Sequence, residues 1–108
     1  SFDYLISTDN DINDVALVTS LQGNYPNPFN PETNIAYTLA KASKVKLKIF
    51  NLKGQLVKTL VNDYQSSGNH NIVWNGKNNQ NRAVSSGIYF IKIETDDYQK
   101  TQKAILMK

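Results

Sequence analysis

The chain has 108 residues, 40% of them hydrophobic, with a formal net charge of +3. A chain of this length forms one domain around a single core, and no apolar run approaches the roughly 18 residues that a membrane-spanning helix needs, so we predict no transmembrane segment. Cysteine is absent, which excludes disulfides and thiolate metal sites.

The first 20 residues differ in charge from the rest of the chain. They contain Asp3, Asp9, Asp11 and Asp14 and no Lys or Arg. Removing these four of the nine acids leaves twelve basic and five acidic residues in 21–108, a net charge of +7. We therefore predict an acidic linker or leader over 1–20, contributing at most one strand, followed by a basic domain over 21–108.

The acidic segment 9–14 resembles the start of a calcium-binding loop. The pattern fails where it matters, because Asp14 stands at the position of the required glycine and Ser20 at that of the closing glutamate. The Asn75–Asn81 loop offers side-chain carbonyls but no carboxylate. We therefore predict no metal site.

Apolar residues alternate with polar ones from residue 34 onward, which is the period of half-buried strands. Turn signals at Gly54, Gly68, Gly76 and Gly87 separate the alternating segments. The pattern predicts about seven strands, over residues 15–21, 34–39, 44–50, 55–61, 69–74, 88–95 and 98–108. That number and spacing favour an all-β fold, an immunoglobulin-like antiparallel β-sandwich.

The phase of each strand predicts which side chains are buried. The predicted core is Ile35, Leu47, Ile49, Ile72, Trp74, Tyr89 and Ile91. The lysines at 44, 46 and 48 fall on the other face of their strand, where they indicate a solvated surface or a protected edge. Nucleic-acid binders interleave exposed aromatic residues with such a stripe, and none is present here, so we predict no nucleic-acid partner.

Three prolines stiffen the segment 24–31. Pro26, Pro28 and Pro31 fix their own backbone and push each preceding residue towards an extended conformation. Tyr25 and Phe29 flank the stiff part, and we expect both rings to plug one end of the sandwich while the prolines keep an edge strand from pairing further.

Enzymatic chemistry finds little support. His70 is the only histidine, and neither a glycine-rich phosphate loop nor a Gly-x-Ser-x-Gly elbow is present. We predict a half-buried strand position for His70, and neither catalysis nor a cofactor for the domain.

An ordered series of short segments carries a family resemblance. Its parts are 24–33 (NYPNPFNPET), 35–37, 45–50, 51–55 (NLKGQ), Leu60, Gly68, 74–76 (WNG), 86–89 (SGIY) and 103–108 (KAILMK). Over residues 21–108 the sequence resembles the type A C-terminal sorting domain of the type IX secretion system, a family related to the immunoglobulin-like domain of flagellar hook-capping proteins. Relatives often have aspartate and glycine where this chain has Asn75 and Asn81, but asparagine tolerates the left-handed turn conformation.

The resemblance implies a function in protein export. Such a domain ends a larger cargo protein that reaches the periplasm with its own signal peptide. The folded domain then directs the cargo across the outer membrane, and a surface sortase-like protease commonly removes it. The implied partners are the outer-membrane translocon, that protease and the upstream cargo, and the implied location is extracellular or on the outer-membrane surface.

The resemblance also implies two sets of site residues. The residues expected to be recognised by the translocon are Gly87, Tyr89, Lys103, Ala104, Ile105, Leu106, Met107 and Lys108. The residues expected to support the structure are Tyr25, Pro26, Pro28, Phe29, Pro31, Gly54, Trp74 and Gly76. An apolar final strand flanked by lysines is unlike a frayed tail, and we expect its edge and terminal carboxylate to be offered to a receptor by strand addition.

Two other functions stay open at this stage. One is a carbohydrate- or protein-binding accessory module of a secreted enzyme, with a fibronectin-like fold. This hypothesis predicts exposed coplanar aromatic rings. A hook-cap-like assembly domain predicts a flagellar partner and an internal position in its chain.

Overall fold

The computed structural model describes residues 18–108, and these form an all-β fold. Its seven strands are β1 (Ser20–Tyr25), β2 (Thr33–Leu39), β3 (Ser43–Asn51), β4 (Leu56–Gln65), β5 (Gly68–Trp74), β6 (Gly87–Glu94) and β7 (Gln99–Leu106). The described residues include no helix suited to crossing a membrane. The predicted fold class is confirmed. The acidic segment 9–14 lies outside the described residues.

The strands form two antiparallel sheets packed face to face. One sheet has the order β1-β2-β5 and the other β4-β3-β6-β7. The chain changes sheets after β2, after β4 and after β5, so both sheets contribute to one core. This arrangement is that of an immunoglobulin-like sandwich.

Alternation places the core where the sequence predicts it, with one correction. In β3 the residues Val45, Leu47 and Ile49 are buried, and the lysines between them face outward. The predicted core positions are buried except for Ile72, which is only partly buried. Ile72 lies on β5, an edge strand paired on one side only, so its inward face is incompletely covered.

A β-bulge in β1 corrects the prediction for Tyr25. Leu21 pairs with Tyr37, but the next pair is Gly23 with Ala36, so Gln22 is an extra residue. The bulge inverts the phase of the rest of the strand, because side chains alternate with a period of two. Tyr25 therefore lies opposite the outward Asn34 and is 81% exposed, and it does not plug the sandwich.

The first strand also begins and ends later in the chain than the sequence predicts. The sequence places a strand over 15–21, whereas β1 spans Ser20–Tyr25. Residues 15–17 lie outside the described part. The strand continues to Tyr25 because Asn24 and Tyr25 still pair with Ile35 and Asn34 of β2, and Pro26 then ends it.

Tyr37 and His70 form a stacked pair between β2 and β5. Their ring centroids lie 5.2 Å apart, and the Tyr37 hydroxyl donates to the side chain of Gln65. Burial raises the pKa of Tyr37 above its ordinary value; the negative charge of Asp63 raises it further, and the hydrogen bond to Gln65 opposes them. Tyr37 is therefore a neutral donor at ordinary pH. His70 contacts the carbonyl of Ser66 at 2.8 Å, which agrees with the structural role predicted for it.

Candidate functional site at the carboxyl-terminal strand

Most of the loops of the family resemblance meet at one end of the sandwich, which we call the motif end. It comprises the proline loop 26–32, the turn 52–55, the loop 75–86 and the last residues 107–108. Three contacts join them: Phe29 pairs with Leu106, the amide of Lys108 donates to Ser86 Oγ at 3.0 Å, and the loops 51–55 and 85–89 line one hollow. Antiparallel pairing brings these sequence-distant segments together.

The proline loop clamps the outer edge of β7. Asn27 Nδ2 donates to the carbonyl of Lys103 at 3.2 Å, and Asn27 Oδ1 accepts from the amide of Ile105 at 3.0 Å. The amide of Phe29 donates to the carbonyl of Ile105, and the amide of Met107 donates to the carbonyl of Phe29, both at 2.9 Å. From Lys103 to Met107 the strand therefore has β6 on one side and the loop on the other.

This clamp overturns the expectation that the final strand offers a free edge. Strand addition needs unpaired backbone groups, and the carbonyl of Lys103, both backbone groups of Ile105 and the amide of Met107 are already bonded to the proline loop. The strand also ends at Leu106 and not at Lys108. The backbone groups bonded to the proline loop are therefore not free to pair with an added strand.

Burial divides the eight predicted recognition residues into two groups. Tyr89, Ala104 and Leu106 are buried, so they hold the strand in place. Gly87, Lys103, Met107 and Lys108 are exposed, and Ile105 is half-buried on the outer face. The exposed group is what a partner can contact.

A cluster of buried aromatic side chains packs beneath the proline loop, on the core side. Trp74 lies between Phe29 and Tyr89, with centroid distances of 5.4 and 5.3 Å and tilted or edge-on geometry. Both polar tips are satisfied, because Trp74 Nε1 donates to the carbonyl of Lys77 at 2.9 Å and the Tyr89 hydroxyl donates to that of Ser85 at 2.7 Å. Phe29 plugs the end of the sandwich as predicted, without Tyr25.

Gly76 fits closely between the proline loop and the last strand. Its φ is 73°, and a Cβ at this position would lie 3.0 Å from the carbonyl oxygen of Pro31, with Leu106 just beyond. Its carbonyl also accepts from the amide of Val84 at 3.0 Å. Glycine is required here by both conformation and space. Gly54, at φ 85°, closes the β3–β4 turn with a bond from its amide to the carbonyl of Asn51.

The 75–86 loop protects the opposite edge of the same sheet. The amide of Asn79 donates to the carbonyl of Val57 at 3.0 Å, and Asn79 Oδ1 accepts from the amide of Thr59 at 3.1 Å. Asn81 has a φ of 63°, the left-handed conformation that asparagine tolerates. Within residues 18–108, no group of three or more His, Cys, Asp or Glu side chains is placed to hold a metal ion.

Sequence reasoning missed Asn27 and Asn79. Both side chains replace a neighbouring strand by bonding to a backbone edge. For Asn27 a signal was present: it lies between Pro26 and Pro28, which have no backbone amide to donate, so its side-chain amide adds a donor to a stretch that has few.

Replacing Asn27 with alanine is expected to lower the free energy of unfolding by about 1 to 2 kcal/mol. The change removes one bond to Lys103 and one to Ile105, each contributing about 1 kcal/mol. Urea unfolding measures the change. Asn30→Ala in the same exposed loop is the matched control and should stay within about 0.5 kcal/mol of the wild type. Equal stability of the two variants would show that the Asn27 side chain does not clamp β7.

The two sheets, their switching connections and the single aromatic core define an immunoglobulin-like sandwich. The chain belongs to the FlgD Ig-like domain family, whose model matches residues 27–99. No curated protein matches the sequence significantly.

Three solved structures have a similar fold. Dimeric latent PorU from Porphyromonas gingivalis aligns with a TM-score of 0.67 at 16% identity, over 83% of this chain and 9% of PorU. PorZ from the same organism, described as an essential surface component of the type IX secretion system, aligns at 0.55 and 19%, over 83% of this chain and 11% of PorZ. FlgD from P. aeruginosa aligns at 0.55 and 19%, over 82% of this chain and 73% of FlgD. The TM-scores show a shared fold, and at these identities the likeness shows the fold alone.

Proposed function

We propose that residues 21–108 form a sorting domain that directs a larger upstream protein across the bacterial outer membrane through the type IX secretion system. The domain acts as a signal, with no catalysis and no cofactor of its own. Its partners are the outer-membrane translocon and a surface sortase-like protease, and its cargo becomes extracellular or surface-bound. The FlgD Ig-like family and the fold shared with PorZ support the choice of system.

The proposal rests mainly on one observation: the first described residues, 18–21, lie at the end of the sandwich opposite the motif end. Val18 is exposed, and Thr19 Oγ1 accepts from the amide of Ala40 at 2.9 Å. The amide of Leu21 donates to the hydroxyl of Tyr98 at 3.1 Å. These contacts involve the β2–β3 and β6–β7 turns, at the end opposite the motif end. The described chain therefore begins at the end of the sandwich opposite the motif end.

The proposal assigns recognition to the exposed group at the carboxyl end. Lys103 and Lys108 supply positive charge, and Ile105 and Met107 supply apolar surface, with Met107 56% exposed. The hydrogen bonds between the proline loop and β7 hold these side chains in one arrangement. Because those bonds occupy the backbone edge, the receptor is proposed to contact the side chains and not the backbone. Such a preformed signal distinguishes a folded cargo domain from an extended peptide.

The carbohydrate-binding alternative gains no support from the described residues. It requires coplanar exposed aromatic rings, whereas the two most exposed tyrosines, Tyr25 and Tyr64, lie on different sheets. Trp74 and Tyr89 are in the core.

A reporter fusion tests the proposal. The full 108-residue chain is joined to the carboxyl end of a reporter that has a periplasmic signal peptide, in a bacterium with a type IX system. We expect the reporter in the medium or on the cell surface. The reporter alone, and the fusion in a strain lacking the translocon, should both remain in the periplasm. Retention of the fusion in the intact strain would contradict the proposal.

A further inference from the structure

The outer face of the four-stranded sheet carries an apolar patch at the motif end. One cross-strand row consists of Leu56, Phe50, Phe90 and Lys103, in that order from β4 to β7. The next row towards the motif end pairs Ile88 with Ile105. The apolar patch is defined as Phe50, Leu52, Leu56, Ile88, Phe90 and Ile105. A sheet face turned to solvent normally carries polar residues, so a contiguous apolar group indicates a contact surface.

The patch contains a concave site. A depression of about 270 Å³ has Phe50, Phe90 and Leu52 as its apolar lining, and its other lining residues are Asn51, Gly54, Lys92 and Thr101. Both phenylalanines are half-buried, and Leu52, at the tip of the β3–β4 turn, is 68% exposed. A concave apolar site of this kind accepts a single inserted side chain, as the anchor residues of protein interfaces do.

The same face is positively charged, and Lys48, Lys92 and Lys103 adjoin the patch. The outward positions of β3, β6 and β7 include Lys44, Lys46, Lys48, Lys92 and Lys103, and the acid among them is Glu94. Glu94 is paired with Lys92 at 3.8 Å.

Two of these lysines repel each other when no partner is bound. Lys48 lies directly opposite Lys92 across the β3–β6 pair, an arrangement that costs stability. A negatively charged partner would relieve this repulsion.

We propose that this face docks an acidic protein surface that inserts an apolar side chain into the hollow beside Phe50, Leu52 and Phe90. The inference rests on the proposed function, and the partner is then a component of the export machinery. A protein fits better than a lipid membrane, because Phe50, Phe90 and Ile105 are only partly exposed and two of them line a concave site. The face adjoins the exposed group at the carboxyl end through Lys103 and Ile105, so one partner contacts both.

Introducing a negative charge at one exposed apolar position tests the docking face. Leu52→Glu in the reporter fusion should lower export about tenfold, since a carboxylate on the wall of the hollow repels an acidic partner and opposes the burial of its apolar anchor. Tyr64→Glu is the matched control: Tyr64 is 69% exposed on the same face, but at the far end, opposite Lys44. It should be exported like the wild type, and both variants should keep the wild-type melting temperature.

The outcomes separate the two proposals. Wild-type export of the Leu52→Glu fusion would overturn the docking face and leave the sorting function standing. Periplasmic retention of the wild-type fusion would remove both. The purified chain is also mixed with vesicles of equal phosphatidylglycerol and phosphatidylcholine. We expect no sedimentation with them, and binding that Leu52→Glu abolishes would identify a lipid surface in place of a protein partner.

Discussion

Replacing Trp74 with alanine is expected to lower the free energy of unfolding by about 3 to 5 kcal/mol, the cost of removing a large buried aromatic side chain. The indole is fully buried between Phe29 and Tyr89, and its Nε1 donates to Lys77, so the change opens a cavity and leaves a carbonyl without its donor. Because small domains have about 5 to 15 kcal/mol of stability, this loss is a large share of the total.

Urea unfolding followed by circular dichroism measures this effect. The neighbouring Val73 points outward from the same strand and is half-exposed, so Val73→Ala is the matched control with a cost below about 1 kcal/mol. An unchanged unfolding midpoint for Trp74→Ala would contradict the aromatic support of the proline loop.

Removing Ala104 to Lys108 is expected to abolish both folding stability and export. The deletion takes away the Leu106 side chain, whose burial contributes about 2 kcal/mol. It also removes the backbone partners of Phe29, at about 1 kcal/mol for each bond. Without this part of the strand, the proline loop loses its hydrogen-bond partners and the aromatic cluster becomes exposed to solvent. The melting temperature of the truncated chain and the location of its reporter fusion measure the two effects.

The strand pattern was predictable because burial imposes a period of two. In β3 and β6 the alternation is regular, and the predicted buried positions, from Leu47 to Ile91, are buried. The error at Tyr25 has a local cause: one extra residue, Gln22, inverts the phase, and a bulge leaves no periodic signal in so short a strand. Ile72 was misjudged because sequence periodicity does not reveal whether a strand lies at an edge.

The candidate site was only partly predictable. The resemblance identified the proline loop, Trp74, Gly76 and the final strand as important, and the structure places them at one end. It did not reveal that Asn27 closes the edge of β7, since that depends on tertiary pairing between residues 76 positions apart. The apolar patch was equally hidden, because it combines outward residues from four strands.

The most direct test of the account compares stability with export after changing only the two terminal lysines. Lys103→Ala with Lys108→Ala leaves the clamp intact, because both side chains are exposed and neither takes part in its hydrogen bonds. Exposed charges contribute at most about 1 kcal/mol each to stability. The account predicts a nearly unchanged melting temperature and a clear fall in the fraction of reporter reaching the medium. Export at the wild-type level by both this variant and the chain lacking 104–108 would contradict it and favour a binding module.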